Sequence, residues 1–423
     1  MPEKILVPRG TKDILPDEIP RWLGIETTSR KILKNFGYKE IRTPFFEETS
    51  LFKRSLGQTS DVVTKQLLEL VSQKEDGGFA LRPEGTASIV RSYIENSLDK
   101  KESLSKLFYL GAMFRGERPQ KGRLRQFHQI GVEAIGPGSS FPYLDAEVIA
   151  LSANLLRAFG LDNFTVHLNT LGTSSDKANF SKLLQKQLKP QLRNLCENCQ
   201  DRFERNVLRI LDCKNRECKA IVDKLEIGDA YLSEESKTYF EKVQEALKSL
   251  NVAYVVSSKL VRGLDYYTHT VFEITHSGLG SQDALGAGGR YNDLVSQLGG
   301  PQVDAMGFAL GVERILLALP EEAKDEGCLD LFIVSLDEAL FQKAFQILND
   351  LRAKGISCDI SFRMSSMKSQ MRQADKTKAR YTMILGEDEL KKGVVTFKNM
   401  KTGEQTQIKM DDTTKMTTLL LKQ

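Results

Sequence analysis

The chain shows no marked excess of either charge. Lysine and arginine number 60 against 56 aspartates and glutamates, a formal net charge of +4 over 423 residues. That near-balance excludes a globally basic nucleic-acid binder, so any RNA-binding surface must be local. No apolar run approaches the length of a membrane span, and no membrane partner is expected. The first ten residues, Met1 to Gly10, lack the apolar core of a secretory signal. Long repeats and low-complexity tracts are absent. Cysteine is sparse, six in all. Without a secretory signal, that number suggests a reducing cytoplasm and not a disulfide framework. What is left is an ordinary globular composition, 40% hydrophobic and 27% charged. The length allows two or three domains.

The most informative stretch lies between Phe114 and Glu133. Arg115, Arg118, Lys121, Arg123 and Arg125 crowd a segment broken by Gly116, Pro119 and Gly122. A strand-like run, Leu107 to Leu110, leads in. An alternating run, Phe127 to Glu133, leads out. Two strands joined by a basic, glycine-containing loop suit a polyphosphate, because arginine forks match phosphate oxygens in pairs. Taken alone, such a loop reads more readily as a solvated charged hairpin. The period of two places Gln129, Gly131 and Glu133 on one face, with Gly131 leaving room for a ligand.

Apolar residues recur at helical spacing over residues 18–36, and Gly37 supplies a stop. Strand-like runs then dominate to about residue 170, with helices near 86–97 and 145–159. This order does not alternate as βαβα. It predicts an α+β fold, an antiparallel sheet flanked by helices. Residues 172–258 change character, becoming helical and Lys/Glu-rich, and read as an insertion. The sheet pattern resumes at Val261, with strands at 270–275 and 284–290 and an apolar helix at 315–319. Pro320 and residues 321–327 read as a linker. Beyond it, strands at Leu331–Val334, Ile356–Phe362 and Tyr381–Leu385 alternate with helices at 338–353 and 365–379, a separate α/β domain. The expected division is 1–171 and 259–320 for the sheet domain, 172–258 for the insertion, and 328–423 for the last domain.

The run from Phe114 to Glu133 resembles motif 2 of the class II aminoacyl-tRNA synthetases, in the form found in histidyl-tRNA synthetase. Three further segments resemble the same family. Leu81-Arg82-Pro83-Glu84-Gly85-Thr86 is similar to its histidine-binding strand end. Val261-Arg262-Gly263-Leu264-Asp265-Tyr266-Tyr267-Thr268 is similar to its signature peptide, and Gly307 to Arg314 to its motif 3. A stretch like motif 1, Gly37 to Pro44, precedes them in the expected order. The resemblance implies a class II catalytic fold with a C-terminal anticodon-binding domain, a homodimer, and histidine, ATP with Mg2+, and tRNA(His) as substrates. It assigns Arg115 to the α-phosphate and Arg123 to the γ-phosphate. Glu117, Phe127 and Arg314 are placed around adenine, and Arg262 beside the substrate carboxylate as the catalytic cation. For histidine it implies Glu84, Gly85 and Thr86 near the ammonium and Gln129 at the backbone. Glu133 and Tyr267 fall at the imidazole, with Tyr266 lining the same pocket. Arg118 and Gln120, at the loop tip, are implied contacts of the tRNA acceptor end. Two departures stand out: Gln66 to Leu70 replaces an acidic-aromatic segment, and Gly116 replaces a bulkier residue.

Cys196-x2-Cys199 and Cys213-x4-Cys218 allow a four-thiolate structural zinc site, or else buried free thiols. Cys328 and Cys358 are expected core thiols. Gly288-Gly289-Arg290-Tyr291 lacks the full dinucleotide fingerprint and is assigned to close backbone approach. A non-catalytic regulatory relative remains an alternative, as does a pure RNA-binding protein. Retention of Arg115, Arg262 and Arg314 argues against the first. The Glu84, Glu133 and Tyr267 set would be superfluous in the second.

Overall fold

A computed structural model describes residues 4–57, 60–71, 78–320 and 329–421. The expected linker at 321–327 and Cys328 lie outside them. The chain divides into two compact units, Met1–Ile14 with Arg21–Glu321, and Leu15–Pro20 with Glu322–Gln423.

The first unit's elements run in order: helix α1 (Ile19–Asn35), β1 (Lys39–Glu40), β2 (Phe46–Glu48), α2 (Thr49–Leu56), β3 (Glu69–Leu70), β4 (Phe79–Leu81) and α3 (Thr86–Glu95). The long hairpin β5 (Ser105–Phe114) and β6 (Gln126–Ile135) follows, then α4 (Pro142–Ala158) and β7 (Thr165–Thr170). Four helices come next: α5 (Ser174–Leu188), α6 (Glu197–Arg205), α7 (Arg216–Asp223) and α8 (Glu234–Ser249). The unit closes with β8 (Val255–Val256), β9 (Thr268–Thr275), β10 (Ala284–Arg290), α9 (Leu294–Gln297), β11 (Ala305–Gly311) and α10 (Val312–Ala318).

Eight strands form one sheet in the order β1-β5-β6-β11-β10-β9-β7-β8. The six central strands pair antiparallel, as expected. The two edges depart from that expectation, since β1 pairs parallel with β5 and β8 parallel with β7. Parallel neighbours need a long crossover, and here the four helices α5–α8 separate β7 from β8. A second, three-stranded antiparallel sheet has the order β2-β4-β3.

Strand alternation splits the apolar side chains between two cores. Phe108, Ile130, Val132, Phe272 and Phe308 join α4 and α8 in one of them. Leu107, Tyr109, Ile135 and Val271 point into the other, which continues through α3 and the helices α5–α7. Helix α8, although part of the sequence expected to be inserted, thus packs with the sheet's own helix layer. The second face is the one that carries Gln129, Gly131 and Glu133.

The second unit holds β12 (Leu331–Ser335), α11 (Glu338–Ala353), β13 (Cys358–Ile360), α12 (Met367–Lys376), β14 (Tyr381–Leu385), α13 (Glu387–Lys392), β15 (Val394–Asn399), β16 (Gln405–Lys409) and α14 (Thr413–Leu421). Its sheet, β13-β12-β14-β15-β16, is parallel across β13, β12 and β14 and antiparallel beyond. Helix α11 starts where Asp337 caps the Ala339 amide and buries Leu340, Ala344, Ile347 and Leu351, an i, i+4, i+7 stripe against the sheet. Cys358 is buried in this core, as expected.

Candidate active site

A cavity of about 790 Å³ opens on the second face of the large sheet, within the range of small-molecule sites. Its floor is made of small residues. Ala287 on β10 and Gly307, Ala309 and Gly311 on β11 all line it. Side chains from the hairpin loop, the start of α3 and the 261–267 peptide form the walls.

The basic loop between β5 and β6 folds back on itself, with Gln120 and Arg123 exchanging backbone hydrogen bonds. Arg115 donates through Nε to the Pro83 carbonyl at 2.9 Å and lies 5.3 Å from the Phe127 ring centre. Arg123 sits 3.3 Å from the Glu117 carboxylate. Arg314 donates to the carbonyls of Ala284 at 2.6 Å and Gly122 at 3.2 Å, tying the loop to β10. Burial, and Arg123 nearby, lower the pKa of its guanidinium. Glu313 anchors the start of α10 by accepting from the His128 amide at 2.9 Å. The structure therefore gathers Arg115, Glu117, Arg123, Phe127 and Arg314 around one end of the cavity. Arg118 and Gln120 are exposed and outside its wall.

At the other end, Glu84 caps α3. Its two oxygens accept from the amides of Thr86 and Ala87, each at 2.8 Å. Burial raises its pKa, against the pull of those two amides. The Thr86 hydroxyl donates to Glu133 at 2.6 Å, and the Tyr291 hydroxyl donates to the other Glu133 oxygen. Burial pushes the Glu133 pKa up to about 8. Glu133 stands directly opposite Gly307 in the sheet register, and any side chain on Gly307 would collide with its carboxylate. Glu133 lies just behind the wall that Thr86 and Tyr291 present to the cavity. Tyr266 packs 4.6 Å from Tyr267 and 5.7 Å from Tyr291, ring centre to ring centre. Gln129 keeps a buried Oε1 without a hydrogen-bond partner at the cavity wall.

Two expectations change here. Gly131 does not leave room for a ligand. The Tyr109 ring fills that space, within 2.2 Å of where Cβ atoms on both Gly131 and Gly85 would sit. Both glycines are required by the tyrosine. Tyr291, assigned no contact from sequence, is a direct partner of Glu133. The tyrosine after two glycines was the available signal, but its spacing of 158 residues from Glu133 conceals the pairing.

Arg262 projects from the 261–267 peptide, which has no regular secondary structure. Its Nη1 lies 2.5 Å from Glu273 on β9, and its buried Nε has no partner. Burial opposes its charge, but Glu273, together with Tyr267 and Asp212, more than offsets that and raises the pKa of the guanidinium. Sequence patterning missed Glu273. The two departures noted above meet one another. Gly116 donates to the Gln66 carbonyl at 2.6 Å, and a Cβ on Gly116 would approach Leu68 to 3.2 Å.

The four cysteines of the helical region converge, their sulfurs all within 4.8 Å of one another. Cys196 and Cys213 sulfurs are 3.9 Å apart, and the Cys218 sulfur accepts from the Cys196 amide at 3.2 Å. Cys199 and Cys218 are buried, Cys196 and Cys213 partly so.

The family profile of histidyl-tRNA synthetase matches residues 10–315, and that of the anticodon-binding domain matches residues 330–418. A histidine–tRNA ligase of Moorella thermoacetica is 46% identical over 404 residues, 95% of each chain. One from Bacillus cytotoxicus is 44% identical over 413 residues, 96% of this chain and 97% of that one. The structure of apo histidyl-tRNA synthetase from S. aureus superposes with a TM-score of 0.78 at 38% identity, covering 98% of this chain and 99% of the other.

Proposed function

Because the chain belongs to the histidyl-tRNA synthetase family, we propose specific roles for its cavity residues in the ligase reaction. The enzyme is an ATP-dependent histidine–tRNA ligase of class II fold, joining histidine to tRNA(His) in two steps. In the first, an oxygen of the histidine carboxylate attacks the α-phosphorus of ATP. The bond from that phosphorus to the bridging oxygen breaks, and pyrophosphate leaves. In the second, a ribose hydroxyl of tRNA attacks the activated carbonyl and AMP leaves.

In this reading Arg115 and Arg262 flank the reacting phosphorus, where charge gathers, and their fixed guanidinium groups stabilise it electrostatically. Arg123 takes the γ-phosphate. Glu117, Phe127 and Arg314 enclose the adenine, and ATP enters as its Mg2+ complex. Glu84, with Gly85 and Thr86, receives the ammonium of histidine, and the unpartnered Gln129 oxygen meets its backbone. Glu133 and Tyr267 pair with the two imidazole nitrogens beside Tyr266. Arg118 and Gln120, exposed at the loop tip, face the acceptor end of tRNA. The single observation that carries these roles is the meeting, at one cavity, of Arg115, Arg262, Glu84 and Tyr267, with Glu133 immediately behind it.

The same reading gives residues 1–171 and 259–320 to the catalytic domain, 172–258 to an insertion, and 328–423 to anticodon binding. It takes the enzyme as a cytoplasmic homodimer. No helix among the described residues is long and apolar enough to cross a membrane.

The cysteine cluster fits a structural zinc. Tetrahedral zinc–thiolate bonds of about 2.3 Å place sulfurs about 3.8 Å apart, close to the 3.9 Å between Cys196 and Cys213. Cys196, Cys199, Cys213 and Cys218 would hold it and tie the start of α6 to α7.

The deciding experiment is histidine-dependent ATP–pyrophosphate exchange without tRNA, followed by charging of tRNA(His). Exchange specific to histidine is expected. Its absence in folded protein, with tRNA binding intact, would overturn the catalytic roles.

A further inference from the structure

The peptide that carries Arg262 runs from Val261 to Tyr267 without helix or strand. Buried carbonyls in such a segment need partners from elsewhere. Two side chains from the helical region before it, Lys177 and Arg209, provide them, and a third, Asn206, holds the Asp265 side chain. Lys177 on α5 donates through Nζ to the carbonyls of Asp265 at 2.6 Å and Tyr267 at 3.1 Å. Asn206, just beyond α6, donates to the Asp265 carboxylate at 2.8 Å. Arg209 donates through Nη1 to the carbonyl of Arg262 itself, at 3.1 Å.

Arg209 is the member that touches the residue assigned to catalysis, and carboxylates along the same cavity wall hold it in turn. Its Nη2 lies 3.4 Å from Asp61, its Nη1 3.9 Å from Asp212, and Asp61 is gripped in turn by Arg202 at 2.6 Å. The same guanidinium covers Gly263, where an added Cβ would stand 3.2 Å from Nη1. A glycine there lets the guanidinium approach the main chain. Arg262, by contrast, spends its guanidinium on a single hydrogen-bonded partner among the described residues, Glu273. Its aim into the cavity therefore depends on where its main chain is fixed.

We propose that Arg209 is a positioning residue for adenylate formation, fixing the main chain of Arg262 so that the Arg262 guanidinium meets the reacting carboxylate and α-phosphate. The inference rests on the role given to Arg262 above. A guanidinium fork can bridge Asp61, Asp212 and a carbonyl at once, whereas an ammonium on a flexible stem cannot hold all three in one plane. Arg209 itself makes no bond to substrate in this account.

A double-mutant cycle on the full-length enzyme tests it, read by histidine-dependent ATP–pyrophosphate exchange. Arg209→Lys keeps the charge and loses the fork. Its kcat is expected to fall on the order of 10- to 100-fold, as for a misplaced catalytic group, while KM for ATP stays within about threefold. In an Arg262→His background the same change is expected to cost less than about threefold, because the group it positions is gone. An Arg209→Lys enzyme with unchanged kcat overturns the proposal. So does a loss of the same size in both backgrounds, which marks Arg209 as general scaffolding. If Arg262→His alone keeps wild-type exchange, the role of Arg262 fails first, and that result is visible independently of Arg209. Should Arg209→Lys fail to fold by circular dichroism, Asp61→Asn loosens the same anchor and is carried through the same cycle, with the same outcomes for and against.

Discussion

The Thr86 hydroxyl donates to Glu133 at 2.6 Å across 47 positions of sequence, linking the start of α3 to the last stretch of β6, two residues before its end. With Tyr291 on the other oxygen, both oxygens of the Glu133 carboxyl group are hydrogen-bonded before any ligand arrives. A hydroxyl can donate or accept, so Thr86 and Tyr291 can hold Glu133 as the neutral acid in the ligand-free enzyme and as the carboxylate that the proposed imidazole contact needs.

Glu133→Gln keeps the size and removes one acceptor oxygen. A polar pocket that loses a partner for its substrate suffers by about 1–3 kcal/mol. The KM for histidine in pyrophosphate exchange is expected to rise correspondingly, with KM for ATP little changed. An unchanged histidine KM would take Glu133 out of the recognition set.

The same residue makes a pH prediction for the ligand-free enzyme. Its folded pKa, about 8, lies above the ordinary value of 4.5 because of burial. Between those values the native state keeps a proton that the unfolded chain releases. The Glu133 contribution is therefore full below pH 4.5 and lost as pH rises through 8, with a slope of at most about 1.4 kcal/mol per pH unit. Urea unfolding of wild type and Glu133→Gln between pH 5 and 8 measures it, over a range of about three pH units. The variant is expected to show the shallower decline. Parallel pH profiles would contradict the assignment.

Zinc analysis tests the cysteine cluster. Protein purified without chelator is expected to contain about one zinc per chain, as one four-thiolate site requires. Cys196→Ser is expected to lose it and to unfold the 195–218 segment more readily to proteases. Metal-free protein of full stability would return the four cysteines to buried thiols.

Removing the chain after Pro320 is expected to weaken tRNA charging far more than pyrophosphate exchange, because adenylate formation needs only the cavity of the first unit. Equal losses in a folded truncation would break that division of labour.

The long periodic elements were legible in the sequence. Helix α11 matches the expected 338–353 because its buried stripe and Asp337 cap are local signals. Strand β10 matches 284–290 for the same kind of reason. The two-residue edge strand β8 was not legible, being too short for any period and exposed at both positions. Strands β15 and β16 and helices α13 and α14 lay beyond the last pattern read. Around the cavity, residues inside quoted motifs were legible by type. Their partners were not. Tyr291 reaches Glu133 across 158 residues and Arg209 reaches Arg262 across 53, separations that no window of sequence covers. Glu273 lies only 11 residues from Arg262, but the irregular peptide that carries Arg262 shares no period with β9. Gly131 illustrates the converse error. A small residue facing a site was read as space, when a tyrosine from the neighbouring strand fills it.

The proposed action of Arg262 in adenylate formation is tested most directly by single-turnover kinetics of Arg262→His. The substitution removes a permanent charge and a fixed fork. If the contact strengthens as charge develops on the α-phosphate, the rate of adenylate formation falls on the order of 10²- to 10³-fold, with little change in either KM. Transfer of histidine from preformed adenylate to tRNA is expected to be affected much less, since that step builds no charge at the attacking carboxylate. An Arg262→His enzyme that forms adenylate at the wild-type rate but transfers slowly would contradict the assignment.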